Sequence, residues 1–196
     1  MVQANENARQ RMVAGAADML GSRGLNATGV RELAKHAGAP LGSVYHYFPG
    51  GKAQLAAEAV RWADEQTAAA LTRSSAEGPA AMIRDLLDMW RNTLLGSDFR
   101  RGCPVLAVAV EDLPGDDTAP RDAAVFAFSA WSTHIAAALR AAGLEHAAAA
   151  GTATLVIAAV EGAVAMSRAE RSIEPLEVVG AQLQQLLSGL GCPLRP

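Results

Sequence analysis

The chain has 196 residues, 51% of them hydrophobic but only 5% aromatic, and a formal net charge of −3. That length can bury a real core, and an alanine-rich, aromatic-poor composition favours closely packed helices over sheets. Two cysteines, Cys103 and Cys192, are too few for a disulfide framework and fit a reducing compartment. No basic-then-apolar leader opens the sequence. The stretch His146 to Val160, free of Asp, Glu, Lys and Arg, is too short and Ala-rich for a bilayer span; a soluble, cytoplasmic protein is expected. The charge is split: residues 1–52 carry Arg9, Arg11, Arg23, Arg31, Lys35 and Lys52 against Glu6, Asp18 and Glu32, while the remainder is acidic in balance. An asymmetry of this kind hints at a polyanion-binding end.

In chain order, Val13, Ala16, Ala17 and Leu20 take the i, i+3, i+4, i+7 spacing of an amphipathic helix. Met12 and Met19 widen the stripe, which predicts a helix over 9–21 ended by Gly21 and Gly24. Thr28 is placed to cap a second helix, with Val30, Leu33, Ala34 and Ala37 on its stripe. Arg31 stands where a capping box would carry Glu. Gly38 offers the left-handed residue that stops this helix, and Pro40 suits the first turn of a third. Two helices joined by a three-residue, glycine-containing turn are a helix-turn-helix arrangement. Leu41, Val44 and Phe48 are expected to pack inward. Ser43, Tyr45, His46 and Tyr47 are then distributed around the rest, more polar and aromatic surface than so short a helix can bury.

Long helices are predicted next, at about Ala53 to Thr72, Pro79 to Leu95 and Pro104 to Asp112. After the loop Leu113 to Asp117 come Ala123 to Ala142, Glu145 to Arg171 and Pro175 to Leu190. There is no alternating strand pattern and no internal repeat, so the expected fold is all-α. Small residues at Gly151, Ala158, Gly162 and Ala165, with the stripe Leu176, Val179, Leu183 and Leu187, suit an isologous four-helix interface between two copies. The same stripe can also pack only within its own chain.

Met82, Met89, Trp90, Leu94, Cys103, Phe126, Phe128, Trp131, His134 and Met166, from several of these helices, are each read individually as core. As a set, Met89, Trp90, Cys103, Phe126, Trp131 and His134 are candidates to line a ligand pocket between helices. Cys103 beside Pro104 is either a sensor thiol or, given the apolar run after it, a buried inert one. Glu111-Asp112 and Asp116-Asp117 match no calcium loop, and the four histidines form no paired-ligand pattern. Nucleophile signatures are missing too. No metal, no cofactor and no enzymatic activity are expected.

Thr28-Gly29-Val30-Arg31-Glu32-Leu33-Ala34, then Ala37-Gly38, then Gly42-Ser43-Val44-Tyr45-His46-Tyr47-Phe48 and Lys52 resemble the DNA-binding region of TetR-family transcriptional repressors. Phe48 to Lys52, Gly102-Cys103-Pro104-Val105, Glu161-Gly162-Ala163 and Arg168 to Ser172 resemble its LmrA/YxaF-like branch. Pro40 and Leu41 replace the Ser or Thr and polar residue of many members, and an extra glycine lies between Phe48 and Lys52.

The resemblance implies a helix-turn-helix domain over residues 1–52 and a ligand-sensing, dimerising domain over 53–196. It implies a homodimer that binds a double-stranded palindromic operator, with no membrane partner, and is released by a small hydrophobic or aromatic effector. Tyr45 and Tyr47 would donate hydroxyls to phosphates, and Lys52 would add a charge at the next helix's start. Gly42 would let the backbone approach, and Ser43 would reach a base edge or phosphate. Thr28 would cap helix two against a phosphate, Arg31 would meet backbone or groove, and His46 is either a contact or merely solvated. The alternative for Tyr45 and Tyr47 is that they are partly buried core rings with their hydroxyls satisfied locally; the rival functions are a helical ligand-binding or catalytic bundle with a purely structural head, and a dimerisation module.

Overall fold

A computed structural model describes residues 2–112 and 117–192, with side chains from Asn7 onward. Most of the predicted loop, Leu113 to Asp116, lies outside the described residues. Among them are nine α-helices and no strand: α1 (Val2–Arg23), α2 (Val30–His36), α3 (Leu41–Tyr47), α4 (Gly51–Arg73), α5 (Pro79–Gly96), α6 (Pro104–Val110), α7 (Ala119–Ala141), α8 (His146–Glu170) and α9 (Glu174–Gly189). The protein is all-α. Its helices gather into two compact units, Met1–Glu65 with Cys103–Ala127, and Gln66–Gly102 with Phe128–Pro196. A division drawn at residue 52 therefore differs from the packing, which groups α6 and the first turns of α7 with the N-terminal helices.

In the first unit α1 packs on α6 and on α2, and α2 packs on α3. Met12, Ala16, Ala17 and Leu20 of the predicted stripe are buried. The helix starts earlier than expected and passes through buried Gly21, leaving helical geometry at Gly24, where φ is +78°. Thr28 does not cap α2. The N-cap is Gly29, and no side chain caps the helix. Thr28 is fully buried, and its hydroxyl donates to the Gly24 carbonyl oxygen at 2.6 Å. A hydroxyl that finds an acceptor in the preceding turn has no need of the helix end.

That preceding turn is held from far along the chain. Glu111, just past α6, accepts from the backbone N–H groups of Leu25 at 2.8 Å and Asn26 at 2.7 Å. The Asn26 amide in turn donates to the Asp112 carbonyl at 3.1 Å. The loop's own geometry leaves those N–H groups without a helical acceptor, and one carboxylate supplies it.

In the second unit α8 packs mainly on α9, and α5 packs on both. Leu176, Leu183 and Leu187 are at most 4% exposed and Val179 is half-buried. The stripe expected at a dimer interface is thus used up within the chain, because it is what seats a 16-residue helix on its neighbours. The small residues Gly151, Ala158, Gly162 and Ala165 do lie on the surface. Half-exposed Leu155 and Met166 of α8 and Val178 of α9 are exposed apolar residues of the same two helices. By length and composition α8 is the one helix among the described residues able to cross a bilayer, a test that core helices also pass.

The ends of α8 are specified locally. The Glu145 carboxylate accepts from the N–H groups of Ala147 and Ala148 at 2.8 and 3.4 Å. Those bonds, Ala147 first, hold its pKa below the ordinary glutamate value. At the other end Arg171 adopts the left-handed conformation (φ 52°) and pairs with Asp98 at 2.7 Å.

Candidate nucleic-acid interface and cavity

The turn between α2 and α3 is closed by backbone bonds. The Gly38 N–H reaches the Lys35 carbonyl at 3.1 Å and the Ala39 N–H reaches that of Ala34 at 2.9 Å. Gly38 takes φ +62°, as its place in the sequence predicts. Pro40 is the N-cap of α3 rather than part of its first turn, with extended ψ of 141°. The helix is only seven residues long, too short to persist without packing. Val44 and Phe48 supply that packing, at 1% and 0% exposure. Leu41, expected inward, is 37% exposed instead: at the first helical position it precedes the turn that Val44 buries.

What remains of α3 faces outward. Tyr45 is 55% exposed; His46 and Gly42 are exposed; Ser43 and Tyr47 are half-buried. Tyr47 is packed edge-on between two rings, with centroids 5.2 Å from His46 and 6.5 Å from Phe48. A Cβ built on Gly42 would meet nothing within 4 Å. No packing inside the chain calls for glycine there, so the opening suits a close approach from outside. Arg31, Lys35 and His36 of α2 are exposed, and Lys52 stands half-buried in the first turn of α4. Of the eight residues expected at DNA, Arg31, Gly42, Ser43, Tyr45, His46, Tyr47 and Lys52 are thus at least partly accessible. Thr28 is the exception, enclosed with its hydroxyl already bonded.

The expected ligand pocket is only partly assembled. In the second unit a cavity of about 10 Å³ is lined by Thr67 and Leu71 of α4, Leu86 and Trp90 of α5, Trp131 and Ile135 of α7, and Ile157, Val160 and Glu161 of α8. That is room for about one water. Trp90 and Trp131 are on its wall, buried as predicted; Met89 is half-buried beside Trp90 in sequence but does not line it.

Three other candidates are elsewhere. Phe126, five residues before Trp131, falls on the far side of α7 and is 64% exposed. His134 is exposed, its Nδ1 lying 3.1 Å from the Ala130 carbonyl oxygen. Cys103 is buried in the first unit, where its Sγ accepts from the Leu106 N–H at 3.4 Å and caps α6. The residue that composition missed is Glu161, 6% exposed on the cavity wall. It stands in an apolar stretch of α8, where nothing nearby in sequence marks it as inward-facing. No group of three or more metal-ligating side chains occurs among the described residues.

A short helix with buried Val44 and Phe48, an outward polar aromatic face and a glycine-containing turn before it define a helix-turn-helix protein. Residues 13–59 match the family "Bacterial regulatory proteins, tetR family", and residues 79–182 match "Transcriptional regulator LmrA/YxaF-like, C-terminal domain". The chain belongs to the TetR family of transcriptional regulators, in its LmrA/YxaF-like branch.

It is 42% identical over 187 residues to the uncharacterized HTH-type transcriptional regulator Rv0196 of Mycobacterium tuberculosis (strain ATCC 25618 / H37Rv), covering 91% of this chain and 93% of that one. It is 28% identical to the HTH-type transcriptional regulator LmrA of Bacillus subtilis (strain 168), covering 92% and 97%. Among solved structures, regulatory protein TetR from Rhodobacter sphaeroides superposes with a TM-score of 0.79 at 26% identity, covering 90% of this chain and 96% of that one. These relatives are regulators, and the protein is not an enzyme.

Proposed function

We propose that the protein is a cytoplasmic, ligand-responsive repressor that binds a palindromic operator as a homodimer and leaves it when a small hydrophobic or aromatic effector enters the second unit. The observation that carries the DNA reading is the α3 surface, where Val44 and Phe48 anchor the helix while Gly42, Tyr45 and His46 stay open. The hydroxyls of exposed Tyr45 and half-buried Tyr47, with Lys52, supply phosphate contacts, which fix register, while Ser43 and Arg31 reach toward base edges or backbone. A palindrome is read when two heads stand about one DNA turn apart, roughly 34–36 Å, or a multiple of it. The apolar, small-residue face of α8, which bears Gly151, Ala158 and Gly162, supports a partner helix at close range.

Release follows from the cavity. It admits about one water, so an aromatic effector must part α5, α7 and α8, stacking on Trp90 and Trp131. Glu161 gives that effector an acceptor to bond, which favours a ligand with a hydrogen-bond donor over a featureless one. Thr67 and Leu71 belong to α4, the helix whose first turn carries Lys52. Opening the cavity therefore acts on the helix that flanks the recognition element. Swinging a 1:99 equilibrium fully over needs a differential affinity of about 5.5 kcal/mol between the two states.

DNA retention at low salt that disappears at high salt is the first test. Titration with hydrophobic aromatics should quench tryptophan fluorescence and release DNA together. A compound that releases DNA yet binds undiminished to the Trp90→Ala/Trp131→Ala protein would place its site elsewhere.

A further inference from the structure

Around the turn that follows α3, side chains from α1 and α4 and the ring of Phe48, the C-cap of α3, close into a circuit. The Gly50 N–H donates to Gln54 Oε1 at 2.8 Å, and Gln54 Nε2 donates to Glu58 Oε1 at 3.0 Å. The other Glu58 oxygen accepts from Arg9 Nη2 of α1. The Arg9 guanidinium lies 5.3 Å from the centroid of the Phe48 ring, within reach of a cation–π attraction. Phe48 is fully buried, its N–H donates to the Val44 carbonyl, and its carbonyl accepts from the Gly51 N–H, both at 2.8 Å. The circuit runs Phe48, Gly50, Gln54, Glu58, Arg9 and back. Enclosed or flanked by it are Tyr47 and Lys52.

This turn has particular need of an anchor. Two consecutive glycines give it more backbone freedom than any other pair would, and Gly51 sits at φ +67°. The glycine counted as extra in the sequence is what lengthens it. Gln54 reaches back to a backbone N–H ahead of its own helix, in the manner of a capping box. It sits tight over the chain: a Cβ on Gly50 would lie 3.0 Å from the Gln54 Cβ. Glu58 then carries the constraint one turn along α4 and across to α1.

We infer that the Arg9–Glu58–Gln54 chain is a positioning device for operator binding, fixing the α3–α4 turn so that Tyr47 and Lys52 meet phosphates in one register. None of the three need touch DNA. The inference rests on the DNA reading above. Arg9 is 43% exposed at its side chain, so its link to Glu58 is screened by salt, whereas the bond between the neutral Gly50 N–H and Gln54 is not.

The test uses the full-length protein and a 30-bp duplex selected by the wild-type protein from a random pool. Gln54→Leu and Arg9→Ala should each weaken binding about tenfold, and the double variant should be no weaker than either alone, because both break one chain. The slope of log K against log salt should stay unchanged in Gln54→Leu, where no phosphate contact is removed. In Lys52→Ala it should fall by about one. Exchange of the Gly50 amide, followed by NMR, should speed up in Gln54→Leu while helical circular dichroism is retained.

Wild-type affinity in Gln54→Leu and Arg9→Ala, with Lys52→Ala weakened, would overturn the positioning role and leave the DNA reading standing. A hundredfold loss in the double variant would show two independent contributions and overturn the chain. Unchanged binding in Lys52→Ala as well would remove the DNA contact assignment itself.

Discussion

Two surfaces of this protein are exposed for opposite reasons. On α3 the outward residues are mostly polar rings and a bare backbone, Tyr45, His46 and Gly42, with Leu41 the one exposed aliphatic side chain. Between the ends of α8 they are mostly small or apolar, Gly151, Leu155, Ala158, Gly162, Ala165 and Met166, and the hydroxyl of exposed Thr154 is turned back onto the Ala150 carbonyl oxygen. The first offers hydrogen-bond donors to a hydrated anion and has little apolar area to hide. The second offers almost no polar atoms beyond the helical backbone and gains only by excluding water. Exposure alone does not name a partner; the chemistry left outside does. Glycine marks both, for in both places a Cβ would meet nothing within 4 Å of its own chain.

The largest effect expected from breaking this contrast is on the α8 side. Gly162→Arg puts a charge where a partner helix would pack, and sedimentation should show a monomer at micromolar concentration. Loss of the second head removes a gain of about 10²–10⁴ in affinity for a two-half-site operator, read by gel shift. A dimer that persists in this variant would separate α8 from the interface.

Next comes Gly42→Leu on α3. Replacing a helical glycine by a good helix former, with no internal clash, should raise the unfolding free energy by about 0.5–1 kcal/mol. Operator affinity should fall by about tenfold to a hundredfold, because a side chain now stands between backbone and groove. Denaturation and anisotropy measured on one preparation would show opposite signs. Parallel losses would mean that Gly42 serves the fold after all.

Tyr45→Phe is milder. It removes a hydroxyl and keeps the ring, so binding should weaken by about 1 kcal/mol, roughly fivefold, with thermal stability unchanged. An equal loss of stability would point to the partly buried ring that a purely structural head requires.

The smallest effect lies at the start of α8. Glu145 has a folded pKa below its usual value because its carboxylate accepts the Ala147 and Ala148 N–H groups. The stabilisation it gives is present above the unfolded glutamate pKa and is lost as pH falls through the lowered folded value. Glu145→Gln should lower the melting temperature slightly at neutral pH. The gap from wild type should close under acid, where the wild-type carboxylate is also protonated.

How much of this could be read in the sequence divides along a physical line. Features written within a few residues were legible. The stripes of α1 and α9, the left-handed Gly38, and the burial of Val44 and Phe48 follow from periodicity and turn chemistry. Local signals failed where two local solutions compete. Thr28 could cap α2 or bond back to Gly24, and Leu176 to Leu187 could face a second copy or its own chain. The chemistry of α7 and α5 named Trp131 and Trp90, but the same reasoning swept in Phe126 and His134, because hydropathy says which residues dislike water and not which helix faces which. Contacts set by distant partners left no trace at all. Nothing near Leu25 announces Glu111, nothing near Gly50 announces Arg9, and Glu161 enters its cavity from an otherwise apolar stretch.

Gly24 and Gly42 would behave differently in a library that varies every position. At Gly24, φ of +78° already disfavours any side chain, and a Cβ would come within 1.8 Å of the Glu111 carboxylate. Moving that carboxylate aside costs the Leu25 and Asn26 N–H groups their acceptor. Survivors at position 24 should therefore be almost all glycine under any selection, including one for soluble expression alone. At position 42 the same expression screen should accept many residues, with glycine returning only when growth depends on repression. One round of sequencing under each selection would distinguish a glycine kept by the fold from one kept by the operator, with no purified protein required.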